Sequence, residues 1–341
     1  MSSVMPSFKV SAPGKVVLFG EYAVLDGACA LVASVDRFVH CNVTPAADFE
    51  VHAQGFGRFS IENLKEAPPI LRSIFEQHSP PHAHFELDSS ELYLHKDPQG
   101  IKLGLGSSAA VTTALLKAVL RIAGSSLTPE SVFASAHRAH YGAQGLGSGV
   151  DIAAAVFGGM FQYQLRHHAH PVTTRENRHV ATAGPRIAVV DMLTTDTQPT
   201  LLAVHLGIAA STPKFVRAVR HVQTEHPDLY AARIQELSDL SALAIEAWRS
   251  GNLKGLRQCC LHNNQILRVL GKHAGVDIVP AQLDTLNAQL VRHNAIAKTT
   301  GAGGGDLAWI PCEDDEHASS IEKHLKDHWS VHRFSSASSV S

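Results

Sequence analysis

The stretch Gly104-Leu105-Gly106-Ser107-Ser108-Ala109-Ala110 governs how the rest of the chain is read. Two glycines let the backbone turn sharply and approach a ligand closely, because neither carries a Cβ. Two hydroxyls follow, and Ala109 to Leu120 is then mostly apolar, the pattern of a buried helix. A glycine-rich turn feeding a helix start aims free backbone N–H groups and the positive end of the helix dipole at one point, which favours an anion. Gly104, Leu105, Gly106, Ser107, Ser108 and Ala109 are therefore candidates to cradle phosphate. The Ser108 hydroxyl can cap the helix or ligate Mg²⁺. The stretch lacks the Gly-Lys-Ser/Thr ending of the Walker loop.

Three other segments have related character. Gly145-Leu146-Gly147-Ser148-Gly149-Val150-Asp151 is a second Gly/Ser turn, and it leads into apolar Ile152 to Phe157 with one carboxylate in the first turn. That carboxylate either complements the helix dipole or does chemistry. Near the N-terminus stands Ala12-Pro13-Gly14-Lys15-Val16-Val17-Leu18-Phe19-Gly20-Glu21-Tyr22-Ala23-Val24. Near the C-terminus, Lys298-Thr299-Thr300-Gly301-Ala302-Gly303-Gly304-Gly305-Asp306 crowds glycines together, which is costly unless backbone must approach something closely.

Periodicity places short strands at 7–10 and 16–19, Phe38 to Val43, Ile187 to Met192, Leu201 to Leu206 and Leu307 to Ile310. It places helices at Leu127 to Ala143, with Thr128 as N-cap and Pro129 in the first turn, and after Thr212. Further helices are expected at Leu229 to Ser250, Leu253 to Gly271 and Ala281 to His293. Residues 46–99 are variable in character, with Pro68-Pro69 and Pro80-Pro81 marking loops, and no adenine pocket can be placed there. The Thr/His/Arg-rich stretch from Arg166 to Gly184 reads as a domain junction, and the Ser-rich end, 335–341, as a disordered tail.

The 341 residues suffice for two domains. A formal charge of -2 argues against nucleic acid or an anionic membrane as partner, so an anionic ligand must be held by local groups. Five cysteines without C-x-x-C spacing, no signal pattern and no apolar run of membrane length point to a reducing, cytoplasmic setting. The 22 histidines lack carboxylate or thiolate partners at ligand spacing, so solvated surface histidine is the better account than a metal site.

The segments at 12–24, 104–110 and 298–306, in this order, resemble the three motifs of the GHMP kinase family of small-molecule kinases, and the resemblance covers about residues 9 to 310. It implies an α+β fold of two domains: a ribosomal protein S5 domain 2-like N-terminal domain (1–185) and a ferredoxin-like C-terminal domain (186–334). It implies ATP and Mg²⁺ as cofactors, with ATP phosphates on the 104–109 loop and Mg²⁺ on Ser108. Asp151 would orient the attacking group, and Lys15 would stabilise developing charge. Tyr22, Ser148, Gly149, Ser211, Gly303, Gly304 and Asp306 would face the acceptor.

Within the family, Tyr22 in place of histidine, Lys102 before the second motif and Asp306 in place of a fourth glycine side with members whose acceptor is a phosphorylated small molecule, the phosphomevalonate kinases. Mevalonate or a sugar as acceptor, or a decarboxylase of mevalonate diphosphate, are the alternatives. Family members that act on mevalonate carry a second Mg²⁺ carboxylate on the helix before the aspartate; here that helix offers His137, Arg138, His140 and Gln144, with Arg138 or His140 as candidate acceptor contacts. A monomer or homodimer is expected.

Overall fold

The computed structural model describes residues 5–145, 147–167, 177–193, 200–208 and 211–337. Lys15 lies in the middle of a single strand, β1 (Phe8–Phe19), where two short strands were expected. A register shift against β2 (Cys29–Pro45) falls at Pro13/Gly14, so the Pro-Gly pair bends the strand without ending it. Within residues 46–99, where the sequence pattern placed no element, the chain forms β3 (Glu50–Ala53), β4 (Gly57–Ser60), α1 (Pro69–Gln77) and β5 (Ala83–Asp88). The helices α2 (Ser107–Ile122), α3 (Pro129–Gln144) and α4 (Val150–Phe157) follow, and then β6 (Met160–His167), β7 (Arg178–Ala183) and β8 (Arg186–Met192).

These strands make an eight-stranded sheet in the order β4-β3-β5-β2-β6-β8-β7, with β1 paired to β2. Helices α2, α4 and α6 (Pro227–Arg249) all contact β2, and Ala30, Leu31, Val32, Ala33 and Val35 are completely buried as a result. α3 starts as its sequence predicts: Thr128 Oγ1 accepts a hydrogen bond from Ser131 N–H and Pro129 occupies the first turn. In α2, Leu115 and Leu116 are fully buried, worth about 1.5–3 kcal/mol each.

The second unit is β9 (Leu201–His205), α5 (Thr212–Glu225), α6, α7 (Leu253–Ala274), α8 (Ala281–Leu290), β10 (Lys298–Thr299), β11 (Leu307–Pro311), α9 (Asp315–Leu325) and β12 (Ser330–Phe334). Its sheet runs β10-β11-β9-β12 and every pairing is antiparallel, a ferredoxin-like arrangement. A second core gathers Leu202, Val204, Leu267, Leu283 and Ile321. Among the described residues no helix is long and apolar enough to cross a membrane.

Three expectations are corrected. A domain break at 185 would cut the first sheet, because β8 pairs with both β6 and β7; the sheets divide after Leu193. The expected junction from Arg166 to Gly184 contains the end of β6 and all of β7, with 168–176 outside the described residues. Ser335 to Ala337, assigned to a disordered tail, are ordered: Ser336 bridges Val35, and Gly159 N–H donates to the Ala337 carbonyl at 2.6 Å. Residues 338–341 lie outside the described residues.

Candidate active site

Gly104 and Gly106 both have positive φ (73° and 75°), and Gly106 is the N-cap of α2 with no side chain capping the helix. The first turn of α2 thus keeps N–H groups for a ligand. The loop is tied to the first strand, because Lys15 N–H donates to the Leu105 carbonyl at 2.9 Å. The Lys15 stem lies over Gly106, where a Cβ would come within 3.0 Å of Cε. Its ammonium ends 3.4 Å from Asp151 Oδ1, in the first turn of α4, and the side chains are 11% and 32% exposed. The lysine and aspartate predicted from separate motifs are an ion pair at the mouth of the phosphate loop.

Two cavities meet there. The first is lined by Lys15, Tyr22, His140, Ser148, Gly149 and Asp151, with Thr212 and Val216 of α5 and Gly301 and Ala302 of the third motif. The helices α4 and α5 both begin against it, and neither has a side-chain cap on its N-cap residue. Tyr22 holds a left-handed backbone (φ 59°), which is strained for a residue with a Cβ. Its hydroxyl donates to the Ala302 carbonyl at 2.6 Å, fastening the first motif to the third. Burial pushes the phenol well above its ordinary range, so it stays a donor.

Ser148 and Gly149 are held by Tyr163 on β6, whose buried hydroxyl donates to the Ser148 carbonyl at 2.5 Å. His137 packs so closely that a Cβ on Gly149 would lie 2.5 Å from its Cδ2. The turn before Asp151 therefore has one permitted shape.

The second cavity is mainly apolar: Phe56, Ile70, Leu71, Leu87, Tyr93 and Val111 line it, with Ser107, Ser108 and Lys102 as polar lining. Gln144 lines both cavities. At their junction Ser108 Oγ accepts from Gln144 Nε2 at 3.2 Å and lies 3.1 Å from His140 Nε2. Burial lowers the His140 pKa although Asp151 opposes it, so the neutral ring can accept the serine proton.

Several predicted acceptor residues sit elsewhere. Lys102 lines the apolar cavity, not the one holding Asp151. Ser211 is exposed as the α5 N-cap, and its neighbour Thr212 lines the cavity instead. Gly303 and Gly304 pack against Ile278 and the Phe215 ring, where added Cβ atoms would fall within 2.3 Å and 2.5 Å of their neighbours. The glycines are needed for packing, and Gly301 and Ala302 are the residues that reach the cavity. Asp306 lies against Gly104 of the phosphate loop. Arg138 does not line the acceptor cavity, whereas His140 does.

Sequence reading also missed a buried ion pair. Lys298 Nζ donates to Glu21 and to the carbonyls of Leu18 and Thr299, both at 2.6 Å, with the lysine and glutamate side chains fully buried. Burial pushes the Glu21 carboxyl upward against the pull of Lys298. Glu21 follows the first motif's glycine and Lys298 precedes the third motif's glycines, so the only available signal was one acid and one base flanking matched loops.

Residues 70–159 match the family model for the GHMP kinases N terminal domain. A mevalonate kinase from Archaeoglobus fulgidus is 26% identical over 86% of this chain and 89% of its own. A phosphomevalonate kinase from Streptomyces sp. is 27% identical over 93% and 92%. In structure, the Streptococcus pneumoniae phosphomevalonate kinase in complex with phosphomevalonate and AMPPNP superposes with a TM-score of 0.76 over 96% of this chain and 99% of that one, at 17% identity. The matched segment contains both the glycine loop and Asp151, and the likenesses extend over both sheets, so residues 70–159 are a GHMP kinases N-terminal domain and the chain is a phosphotransferase.

Proposed function

We propose that the chain transfers the γ-phosphoryl group of ATP to 5-phosphomevalonate, giving 5-diphosphomevalonate and ADP in the cytoplasm. The observation that carries this reading is the cavity where Lys15 and Asp151 meet the N-terminal starts of α4, whose Val150 N–H donates to Ser148 Oγ at 3.3 Å, and α5. A lysine and two helix N-termini suit an acceptor whose attacking group is itself anionic. Relatives of both kinds, acting by name on mevalonate or on phosphomevalonate, support the pathway.

In this reading the adenine and ribose occupy the apolar cavity and the triphosphate lies along 104–109. Lys102 contacts the nucleotide as polar lining of that cavity and does not touch the acceptor. Lys15 stabilises charge on the transferred group, and Asp151 orients the attacking oxygen. A phosphate nucleophile is already ionised, so little proton removal is asked of Asp151.

The oxygen donors at the junction are the Ser108 hydroxyl, the Asp151 carboxylate and the Gln144 amide, and among the described residues no cluster of three or more His, Cys, Asp or Glu could hold a metal ion alone. That sparse set fits Mg²⁺, which keeps waters and takes phosphate oxygens. When bound, Mg²⁺ would neutralise charge on the nucleotide phosphates.

A second reading, mevalonate as acceptor, is favoured by the position of Lys102 outside the acceptor cavity, which leaves Lys15 as the lysine lining it. Coupled ADP release with ATP and Mg²⁺, offered mevalonate and 5-phosphomevalonate separately, decides between them. Turnover of the phosphorylated acceptor alone is expected. Turnover of mevalonate alone would replace the proposal with the second reading.

A further inference from the structure

The aspartate that ends the third motif does not line the cavity that holds Lys15 and Asp151. A Cβ built on Gly104 would sit 2.5 Å from Asp306 Cβ and 2.8 Å from Oδ2, so the carboxyl group covers the Cα of the first loop glycine. The Asp306 backbone is fixed as well, because its carbonyl accepts from Leu206 N–H at 3.2 Å. The residue before Leu206, His205, closes β9 opposite Leu307 and is 5% exposed. His205 Nδ1 accepts from Gly207 N–H at 3.1 Å, which places the proton of the neutral ring on Nε2. That nitrogen is buried and faces the Lys102 backbone. Burial keeps the ring neutral, against the attraction of Asp306.

The nucleotide loop is thus held from two sides. β1 holds it through the Lys15–Leu105 backbone hydrogen bond, and the second sheet presses Asp306 and His205 onto residues 102–104. We propose that Asp306 and His205 are positioning residues through which the second sheet sets the shape of the nucleotide loop, so that the affinity for ATP depends on the C-terminal unit. This inference rests on the kinase reading. A loop with two glycines at positive φ has many alternatives when free, and closing those off before the ligand arrives lowers the ordering cost of binding. A carboxylate would repel a triphosphate it touched, so the role of Asp306 is to brace the loop from behind.

The test is calorimetric titration of AMP-PNP with Mg²⁺ into the full chain without acceptor, together with KM for each substrate. Asp306→Ala and His205→Ala should each weaken nucleotide binding about tenfold and leave the acceptor KM within about twofold. The double variant should be little worse than either single one, since both act on the shape of the same loop. Asp306→Asn keeps the shape and guards against a folding defect; it should retain more affinity than Asp306→Ala. Gly104→Ala should weaken binding through the clash, and adding Asp306→Gly should restore part of it. A raised acceptor KM with unchanged nucleotide affinity would overturn the inference and return Asp306 to the acceptor. Wild-type protein that binds no nucleotide would overturn the kinase reading and this inference together, whereas wild-type binding with unaltered variants overturns the inference alone.

Discussion

The two cavities that share Gln144 are built in opposite ways. The cavity proposed for the acceptor takes residues from both units, and its walls carry a lysine, two carboxylates, a half-buried histidine and the starts of two helices. The cavity proposed for the nucleotide is lined by residues 53–144 of the first unit alone, with Phe56, Pro68, Pro69, Ile70, Leu71, Leu87 and Val111 making its apolar wall. Charged and polar groups fix direction where a bond is made and broken. Shape and apolar area suffice where a flat ring only has to be held. The acceptor side therefore depends on how the two sheets are joined, through Lys298–Glu21 and Tyr22–Ala302, while the nucleotide side depends on one sheet and its helices.

The contrast can be broken most sharply at the chemistry. Asp151→Asn, which removes the group that orients the attacking oxygen and the partner of Lys15, should lower turnover by about 10²-fold or more while AMP-PNP binding is retained. Unchanged turnover in a stopped assay of the purified variant would remove Asp151 from the mechanism. The join between units comes next. Lys298→Met leaves Glu21 buried beside no cation and should lower stability by about 3–5 kcal/mol in denaturant titration, because both side chains are fully buried. A loss under about 1 kcal/mol would mean that solvent reaches the pair and that the acceptor cavity does not rely on it.

On the nucleotide side the effects should be smaller and confined to one substrate. Phe56 lines the cavity while 53% exposed, an aromatic face available to a base. Phe56→Ala should raise the KM for ATP by up to about tenfold, the worth of one aromatic contact, and leave the acceptor KM alone. An equal rise in both would show that the cavities are not separate in function.

The mildest test is pH. Burial holds His137 down at about 4, against an ordinary value near 6.5. A depressed histidine contributes stability that is present above the unfolded value and is lost as pH falls from about 6.5 toward about 4, since only the unfolded chain takes the proton there. Melting temperature should fall across that window, and His137→Phe, which keeps the stack between Phe133 and Tyr141, should flatten the slope. An identical slope in the variant would assign the acid sensitivity to other groups, His332 among them, which is held at about 4 by the same cause.

Much of the acceptor side was legible in the sequence. Lys15, Tyr22, Ser148, Gly149 and Asp151 all reach one cavity, and each stands in or beside a glycine turn, a placement that stands out locally. The apolar cavity was illegible. Val111, Leu71 and Leu87 carry no mark that separates a wall from a core, and residues 46–99 alternate too briefly to reveal β3, β4 and β5. Asp306 and Lys102 were read as acceptor residues from their place beside motifs, but neighbours in sequence can face opposite sides of a loop.

By itself, the sequence determined the glycine turns, the helix starts that follow them, and the acid and base of the chemistry, because these depend on a residue's own backbone freedom and charge. The tertiary structure decided which cavity each of these residues enters, that β8 belongs to the first sheet, and that Glu21 meets Lys298. Those outcomes depend on contacts between separate segments, for Glu21 and Lys298 at opposite ends of the chain, where packing and desolvation act on pairs that no local pattern records.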